Sequence, residues 1–301
     1  MFTPPPRTPL PPPAPRLALV IGSGGVRSAA AIGVYDVLVG AGLRPDLIVG
    51  CSSGALIGAG LATGMGADLT LRTLLRFWTP ELTEKRRWRA YLQLVAPRLA
   101  RFGPGFALRD DGPIRHTVDT AFGEARIESL PTPLRIAATD AASGRPVVLA
   151  SGRLADAVRA SMAVPFIFPS VEVDGQRLVD GVISDPLPIG AAPDARAVVA
   201  IGFEGALPRR IDRASRLAAQ ASTTLINNLM QARTASARAA GQAVLELAIE
   251  LPGRVGLWDP TAIPALYEAG RQAAKAQLAA LRALGDAAAK PMPALHAARA
   301  V

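Results

Sequence analysis

The chain is 301 residues long, carries a formal net charge of +9, and is 50% hydrophobic. This length accommodates one large α/β domain or two small ones, and the hydrophobic content excludes global disorder. A single cysteine, Cys51, excludes a disulfide framework and a cysteine-based metal cluster. The apolar runs are too short to predict a membrane-spanning helix, and the proline-rich start lacks the apolar core of a secretory signal. We expect a cytoplasmic protein with neither metal nor cofactor.

The positive charge comes almost entirely from arginine, because lysine occurs only at Lys85, Lys275 and Lys290. A basic balance fits a nucleic acid, an anionic lipid surface or no specific partner. The sequence lacks zinc-finger, RNA-recognition and basic-zipper patterns, so we expect no nucleic acid partner. An arginine-for-lysine bias with abundant alanine also follows from genome composition, so the charge alone identifies no partner.

Apolar runs that alternate with helix signals predict an α/β fold. Residues 1–15 are proline-rich and predict an extended, disordered tail. Two short apolar runs, 16–21 and 46–50, indicate buried strands, and each leads through a glycine-containing turn into a predicted helix, 28–40 and 53–63. This order implies parallel strands with right-handed crossovers. The expected architecture has three layers, a largely parallel central sheet with helices on both faces.

The remaining chain continues this pattern and then becomes helical. The further predictions are strands at 134–139, 146–150 and 197–203, a hairpin at 171–180, and helices over most of 68–122 and at 154–162. From about residue 211 the sequence is alanine-rich and predicted helical, with a break near 251–260. We expect residues 16–205 to form the core, and residues 206–301 to be a C-terminal helical part of the same domain with a mobile end.

Residues 50–54, Gly-Cys-Ser-Ser-Gly, fit the pattern G-x-S-x-G, which no other serine of the chain matches. A nucleophilic serine needs a sharp strand-to-helix turn, and the flanking Gly50 and Gly54 keep side chains from colliding there. The N-terminus of the following helix favours a developing negative charge. The alternative is a glycine- and serine-rich loop without chemistry. The strand before the motif and the helix after it favour Ser52 as a nucleophile.

Residues 22–27, Gly-Ser-Gly-Gly-Val-Arg, follow the first predicted strand. Glycines at the start of a helix leave backbone N–H groups unshielded, which makes an anion site. The dinucleotide-binding pattern G-x-G-x-x-G fails because its third glycine would fall at Arg27. We favour an oxyanion hole that faces Ser52, with Arg27 either anchoring the loop or adding positive charge to the site.

The base that activates Ser52 must come from elsewhere in the chain. Asp180 and Gly181 end a predicted strand, and a carboxylate followed by glycine can approach another backbone or a substrate closely. Position alone does not select this aspartate, because three others also lie near predicted turns: Asp140, Asp174 and Asp185.

The two histidines are poorly placed for a catalytic triad. The chain order Ser, Asp, His would require His296, which lies five residues from the end of the sequence, and such ends make poor catalytic scaffolds. His116 precedes Asp180 and lies on a predicted surface helix. A Ser–Asp dyad is the remaining option, and the residues alone leave the choice of aspartate open.

Together these motifs resemble the patatin-like phospholipase family, in particular its bacterial branch related to the neuropathy-target-esterase catalytic domain. The family's glycine-rich motif is similar to residues 23–27, its nucleophile elbow to 50–54, and its Asp-Gly motif to residues 180–181. The stretch 160–169 and the run 183–188 also resemble that family. Five positions depart from its common residues without removing a catalytic group: Ser23, Ser28, Ala31, Ser53 and Val182.

The resemblance implies a role for each motif. Ser52 would be the nucleophile and Asp180 the base, with no histidine required. The implied oxyanion donors are the backbone amides of Gly24, Gly25 and Val26. The implied supporting residues are Ser23, Arg27, Gly50, Gly54 and Gly181.

The implied activity is hydrolysis of a lipid acyl ester by a serine enzyme of the phospholipase A, lysophospholipase or carboxylesterase type. Its substrate would be a fatty-acyl ester or a phospholipid. Two alternatives stay open. One is an acyltransferase that uses an acyl-thioester donor, and the other is a catalytically inactive lipid-binding module.

Residues 85–89, Lys-Arg-Arg-Trp-Arg, lie close in sequence to Phe77, Trp78 and Tyr91. A basic and aromatic segment of this kind can lie on an anionic membrane, which would place the protein peripherally at the inner membrane surface. The alternative is a solvated helix face with its tryptophans packed inward.

Overall fold

The computed structural model describes residues 15–289 except 81, 83–85, 104, 252 and 254. Residues 1–14 of the predicted tail and residues 290–301, at the predicted mobile end, lie outside the described residues. Within them the strands are β1 (Leu17–Ile21), β2 (Leu47–Cys51), β3 (Leu134–Asp140), β4 (Pro146–Leu149), β5 (Val171–Val173), β6 (Gln176–Asp180), β7 (Ala197–Ile201) and β8 (Ala243–Glu246). The α-helices there are α1 (Ala30–Gly40), α2 (Ser53–Ala62), α3 (Gly66–Phe77), α4 (Trp88–Val95), α5 (Gly112–Phe122), α6 (Leu154–Ser161), α7 (Ala214–Ala239), α8 (Ile263–Ala276) and α9 (Leu278–Ala289).

All eight strands form one sheet, whose hydrogen-bonded path runs β5-β6-β3-β2-β1-β7-β8, with β4 also paired to β3. The neighbours from β3 to β8 along this path are parallel, whereas β4, β5 and β6 add antiparallel pairs at one side. The central strands β1, β2 and β7 are buried along their whole length, as expected for parallel strands covered on both faces.

Two hydrophobic cores cover the two faces of the sheet. Side chains alternate along a strand, so Leu19 and Ile21 of β1 join the core that contains α1, α2 and α8. Ala18 and Val20 point to the other face, where Met230 of α7 packs against them. The predicted α/β class, with a largely parallel central sheet and helices on both faces, is confirmed.

The prediction that the C-terminal part is helical apart from a break near 251–260 is wrong at β8. Gly241, with a φ of 82°, follows the end of α7, and residues 243–246 then pair in parallel with β7. Four residues are too few to show a strand periodicity in an alanine-rich sequence, so edge pairing overrides their local preference.

Helix α8 lies against α1, where Gly33 and Gly270 allow the two backbones to touch. Together with the β7–β8 pairing, this contact supports the proposal that residues 16–205 and the C-terminal part belong to one domain. None of the helices in the described residues has the length and hydropathy that crossing a bilayer requires.

The helix prediction over 68–122 is only partly right. Helices α3, α4 and α5 lie in this range, but residues 96–103 and 105–111 form turns, irregular segments and isolated bridges. Pro97 and Gly103 begin two of these turns, with their carbonyls accepting from the amides of Phe102 and Phe106. Proline and glycine disfavour a helix interior, which explains the interruption.

Strand β3 brings the ends of β2 and β6 together. Strand β4 pairs with residues 136–139 of β3 and occupies one edge of β3 there. This range includes residues that also pair with β2 and residues that also pair with β6. Strands β2 and β6 therefore share the other edge of β3 and run toward each other. Strand β2 ends with Cys51 beside Ala137, and β6 ends with Asp180 beside Ala138.

Candidate active site

Ser52 lies at a sharp turn between β2 and α2. Its backbone has a φ of 57° and a ψ of −125°, a strained conformation for a residue other than glycine. A Cβ at Gly50 would lie 2.5 Å from the Ala55 Cα, and one at Gly54 would collide with the Ile21 carbonyl oxygen. Both glycines therefore let the turn pack against its own helix and β1, which is the geometry of a nucleophile elbow.

The Ser52 hydroxyl donates a hydrogen bond to Asp180 Oδ2 at 2.7 Å. The Val182 amide donates to the other oxygen, Oδ1, at 2.8 Å. Asp180 is fully buried, and this burial raises its pKa from near 3.8 to about 7, against the lowering effect of both hydrogen bonds. A carboxylate with this pKa is poised to accept a proton at neutral pH.

The other predicted candidates for a base lie elsewhere. Asp140 accepts from Ser143 in the turn after β3, and Asp174 lies at the tip of the β5–β6 hairpin with a φ of 49°. His116 is exposed on α5, and His296 lies outside the described residues. The neighbouring Cys51 is buried, which raises the pKa of its thiol and keeps it protonated.

The glycine-rich turn packs against the start of α2. The Gly22 amide donates to the Ile201 carbonyl at 2.9 Å, and the Ser23 amide donates to Pro186 at 2.8 Å. Within the described residues, the amides of Gly24 and Gly25 have no hydrogen-bond acceptor. These two amides are available for an anion.

Val26 does not fit the predicted role of oxyanion donor. Its amide donates to the Leu257 carbonyl at 2.8 Å, so this N–H is already bonded. Leu257 comes from the segment before α8, far along the chain, and the sequence pattern of the turn gave no sign of this contact. We therefore restrict the proposed donors to Gly24 and Gly25.

Arg27 holds the glycine-rich turn in place. Its Nε donates to the Gly24 carbonyl at 3.0 Å, and its Nη1 donates to the Glu204 carbonyl at 3.0 Å. Because the carbonyl and amide of a trans peptide point in opposite directions, a fixed Gly24 carbonyl also fixes the Gly25 N–H. Of the two alternatives for Arg27, the contacts favour anchoring.

Ser161 supports the elbow and was not among the predicted site residues. Its hydroxyl accepts from the Ser52 amide at 2.8 Å and donates to the Ala137 carbonyl at 2.6 Å. It thereby ties the Ser52 backbone to β3. The signal for it is the stretch 160–169, whose resemblance to the family assigns this serine no role.

A second set of polar side chains lies next to the Asp180 backbone. Thr139 donates to the Asp180 carbonyl at 2.9 Å, and its hydroxyl is 2.7 Å from that of Ser184. Arg233 of α7 donates to the Ser184 carbonyl at 2.8 Å, and its Nε lies 3.1 Å from Asp185 Oδ1. Burial raises the pKa of Asp185 to about 6, against the lowering effect of Arg233. Arg233 was missed because nothing in the local sequence of α7 marks it.

A model of the patatin-like phospholipase family matches residues 19–193. The match covers more than half of the chain and includes the glycine-rich turn, the elbow at Ser52, and Asp180. The chain belongs to the patatin-like phospholipase family. Arg233 and Leu257 lie beyond the matched residues of this family.

Among known relatives, the chain is 36% identical over 194 residues to an uncharacterized NTE family protein of Mycobacterium tuberculosis, covering 64% of this chain and 50% of that protein. It is 30% identical over 191 residues to patatin-like phospholipase domain-containing protein 7 of Rattus norvegicus, covering 62% of this chain and 13% of that protein. The match thus spans half the length of the mycobacterial relative. Among solved structures, VipD from Legionella pneumophila aligns with a TM-score of 0.45 and 13% identity over 88% of this chain and 66% of that chain.

Proposed function

We propose that the protein is a serine hydrolase of lipid acyl esters, of the phospholipase A, lysophospholipase or carboxylesterase type, which uses a Ser52–Asp180 dyad. The observation that carries the proposal is the 2.7 Å hydrogen bond from the Ser52 hydroxyl to a carboxylate with no exposed surface. Family membership supports a lipid substrate. The substrate class is therefore a fatty-acyl ester or a phospholipid.

In the first half-reaction, Ser52 Oγ attacks the ester carbonyl carbon while Asp180 Oδ2 takes the hydroxyl proton. The tetrahedral oxyanion is held by the amides of Gly24 and Gly25, together with the N-terminus of α2. Collapse breaks the bond to the alcohol, which leaves with the proton from Asp180. The product is an acyl group on Ser52 and a free alcohol or lysolipid.

In the second half-reaction, a water molecule gives a proton to Asp180 and attacks the acyl carbonyl carbon. The same amides hold the second oxyanion. Collapse breaks the bond to Ser52 Oγ, which takes the proton back from Asp180, and the fatty acid leaves. A base with a pKa of about 7 accepts and returns the proton without a large energetic penalty at either step.

The proposal is tested by labelling and by a substrate panel. A fluorophosphonate probe should attach to the wild-type protein at Ser52, as mapped by peptide mass spectrometry. Hydrolysis should then be measured on p-nitrophenyl esters, lysophospholipids and diacyl phospholipids. A protein that neither labels nor hydrolyses is an inactive lipid-binding module, whereas labelling with transfer from an acyl-thioester donor and no hydrolysis indicates an acyltransferase.

The histidines give an independent test of the dyad. The double change His116→Ala with His296→Ala should leave kcat on a p-nitrophenyl ester within about threefold of wild type, because neither side chain is assigned a role. The measurement is steady-state hydrolysis, with circular dichroism to establish that the variant is folded. A near-complete loss of activity in a folded variant would show a histidine-dependent triad instead.

We further propose that the protein meets its substrate at an anionic membrane, as a peripheral protein of the inner membrane surface. The segment predicted for this contact needs revision. Lys85 lies outside the described residues, and Trp78 is buried, with its ring centroid 6.1 Å from that of Trp258. Trp88 and Tyr91, by contrast, are exposed.

A further inference from the structure

Helix α4 and the turns that follow it expose large apolar side chains. We call residues 86–103 and 105–109 the arginine–aromatic segment. Trp88 is 73% exposed, and Val95 and Leu99 are 86% and 88% exposed. The other large apolar residues exposed in this segment are Leu92, Leu94 and Phe102. Apolar groups clustered in this way on a folded protein mark an interaction surface.

This segment is attached beside the proposed active site. The Arg87 amide donates to the Leu108 carbonyl at 3.0 Å, and the Leu108 amide donates to the Phe166 carbonyl at 2.8 Å. Three residues before Phe166, the Ala163 carbonyl accepts from the Asp180 amide at 2.9 Å. Phe166 has a φ of 66°, and its ring is 65% exposed. A strained backbone that presents an aromatic side chain to solvent adds to the apolar surface near the dyad.

A second exposed segment follows β7 and begins beside the glycine-rich turn. We call residues 207–225 the helix extension. Its position is fixed by two hydrogen bonds between Asn227 and Gly205, at 2.8 and 3.0 Å, and by the bond from Arg27 to the Glu204 carbonyl. The first buried residue of α7 is Met230, about 24 Å along the helix from its start. The exposed apolar residues here are Leu207, Ile211, Leu217 and Leu225.

The net charge of the chain is concentrated in these two segments. The arginine–aromatic segment contains six arginines and no acidic residue, and the helix extension contains four arginines and one aspartate. Their combined charge equals the formal net charge of +9, so the rest of the chain is neutral overall. Positive charge combined with exposed tryptophan and leucine complements the headgroup layer of an anionic bilayer.

We propose that the arginine–aromatic segment and the helix extension, with Phe166 between them and the dyad, form a docking face for an anionic lipid bilayer. The inference rests on the proposed lipid-ester activity, and it assigns the surface through which substrate arrives. The arginines lie among phosphate headgroups, and Trp88, Leu99 and their apolar neighbours enter the interface. The elbow then faces the membrane.

The test uses the full chain carrying Ser52→Ala, so that lipid is not consumed. Binding is measured by cosedimentation with vesicles of phosphatidylcholine containing about a quarter phosphatidylglycerol, and with phosphatidylcholine alone. Arg98→Gln with Arg101→Gln should weaken binding to the anionic vesicles by about twentyfold, and Arg209→Gln with Arg210→Gln by a similar factor. Tryptophan emission should shift to the blue on binding, and Trp88→Phe should remove most of that shift.

Matched controls separate docking from general electrostatic attraction. Arg44→Gln with Arg282→Gln removes the same charge from exposed positions outside the face, and should weaken binding by no more than about twofold. Leu99→Ser should weaken binding by about tenfold, whereas Leu69→Ser, an exposed leucine on α3, should not. Equal effects of test and control variants would overturn the proposal. So would binding without phosphatidylglycerol dependence, or self-association without lipid that the Leu99→Ser change abolishes.

The two proposals fail in different ways. Hydrolysis of a soluble short-chain ester by the same arginine variants in the Ser52 background should equal that of wild type, because these arginines lie outside the dyad and the oxyanion turn. Ester hydrolysis without vesicle binding overturns the docking face alone. Vesicle binding without ester hydrolysis overturns the proposed function alone.

Discussion

Replacing Ser52 with alanine is expected to reduce kcat on a p-nitrophenyl ester by roughly 10⁵-fold or more. The change removes the only oxygen that the structure places against Asp180 Oδ2 within the described residues, so no covalent acyl intermediate can form. Fluorophosphonate labelling should disappear together with activity. The temperature of thermal unfolding should change little, because alanine at position 52 keeps the hydrogen bond from the backbone amide to the Ser161 hydroxyl.

The adjacent serine provides a matched control. Ser53 is buried, and its hydroxyl lies 2.8 Å from that of Ser28 rather than against Asp180. Ser53→Ala should therefore keep kcat within about fivefold of wild type and should label normally. Wild-type hydrolysis by the Ser52 variant, or loss of labelling in a folded Ser53 variant, would contradict the assignment of the nucleophile.

Replacing Asp180 with asparagine is expected to lower kcat by roughly 10³–10⁴-fold. Asparagine keeps the size of the side chain and can still accept from the Val182 amide, but it cannot take the Ser52 proton. The wild-type enzyme should lose activity about tenfold per pH unit below pH 7 and reach a plateau above it, since only the ionised Asp180 is a base. A flat profile between pH 5 and 8 would contradict this role.

Asp180→Asn should lower activity but raise the free energy of unfolding at high pH. The pKa of Asp180 is raised on folding, so its favourable contribution is complete below about pH 4 and is lost as pH rises through about 7. At pH 8 the buried charge costs on the order of 4 kcal/mol. The asparagine variant should therefore be more stable than wild type at pH 8 and nearly equal at pH 4, as measured by urea unfolding. If wild type and the variant were equally stable at pH 4 and at pH 8, burial of the Asp180 charge would be compensated and this prediction would be wrong.

The parts of the site that follow from local sequence could be predicted. The elbow at Ser52 and the strand ending at Asp180 are each encoded within a few residues, by glycines at fixed spacing and by apolar runs. That the two side chains meet was an inference from family resemblance. Its physical origin, two strands sharing one edge of β3, appears only in the sheet pairing.

Features that depend on distant segments could not be predicted. The bond between the Val26 amide and the Leu257 carbonyl, and the ion pair between Arg233 and Asp185, join residues with no local pattern that marks them. The burial of Trp78 also depends on a distant residue, because its ring packs on Trp258 from the segment before α8. Short strands such as β8 escape detection for the same reason, since partners elsewhere in the chain decide their conformation.

The meeting of β2 and β6 on β3 has a consequence during synthesis. A ribosome releases Ser52 long before Asp180, and β3 emerges between them. A nascent chain that has folded only its first strands holds a serine with no proton acceptor. Under the proposed mechanism, hydrolysis therefore requires β6 to have paired with β3, so an unfinished chain that ends before the β5–β6 hairpin would not hydrolyse lipid.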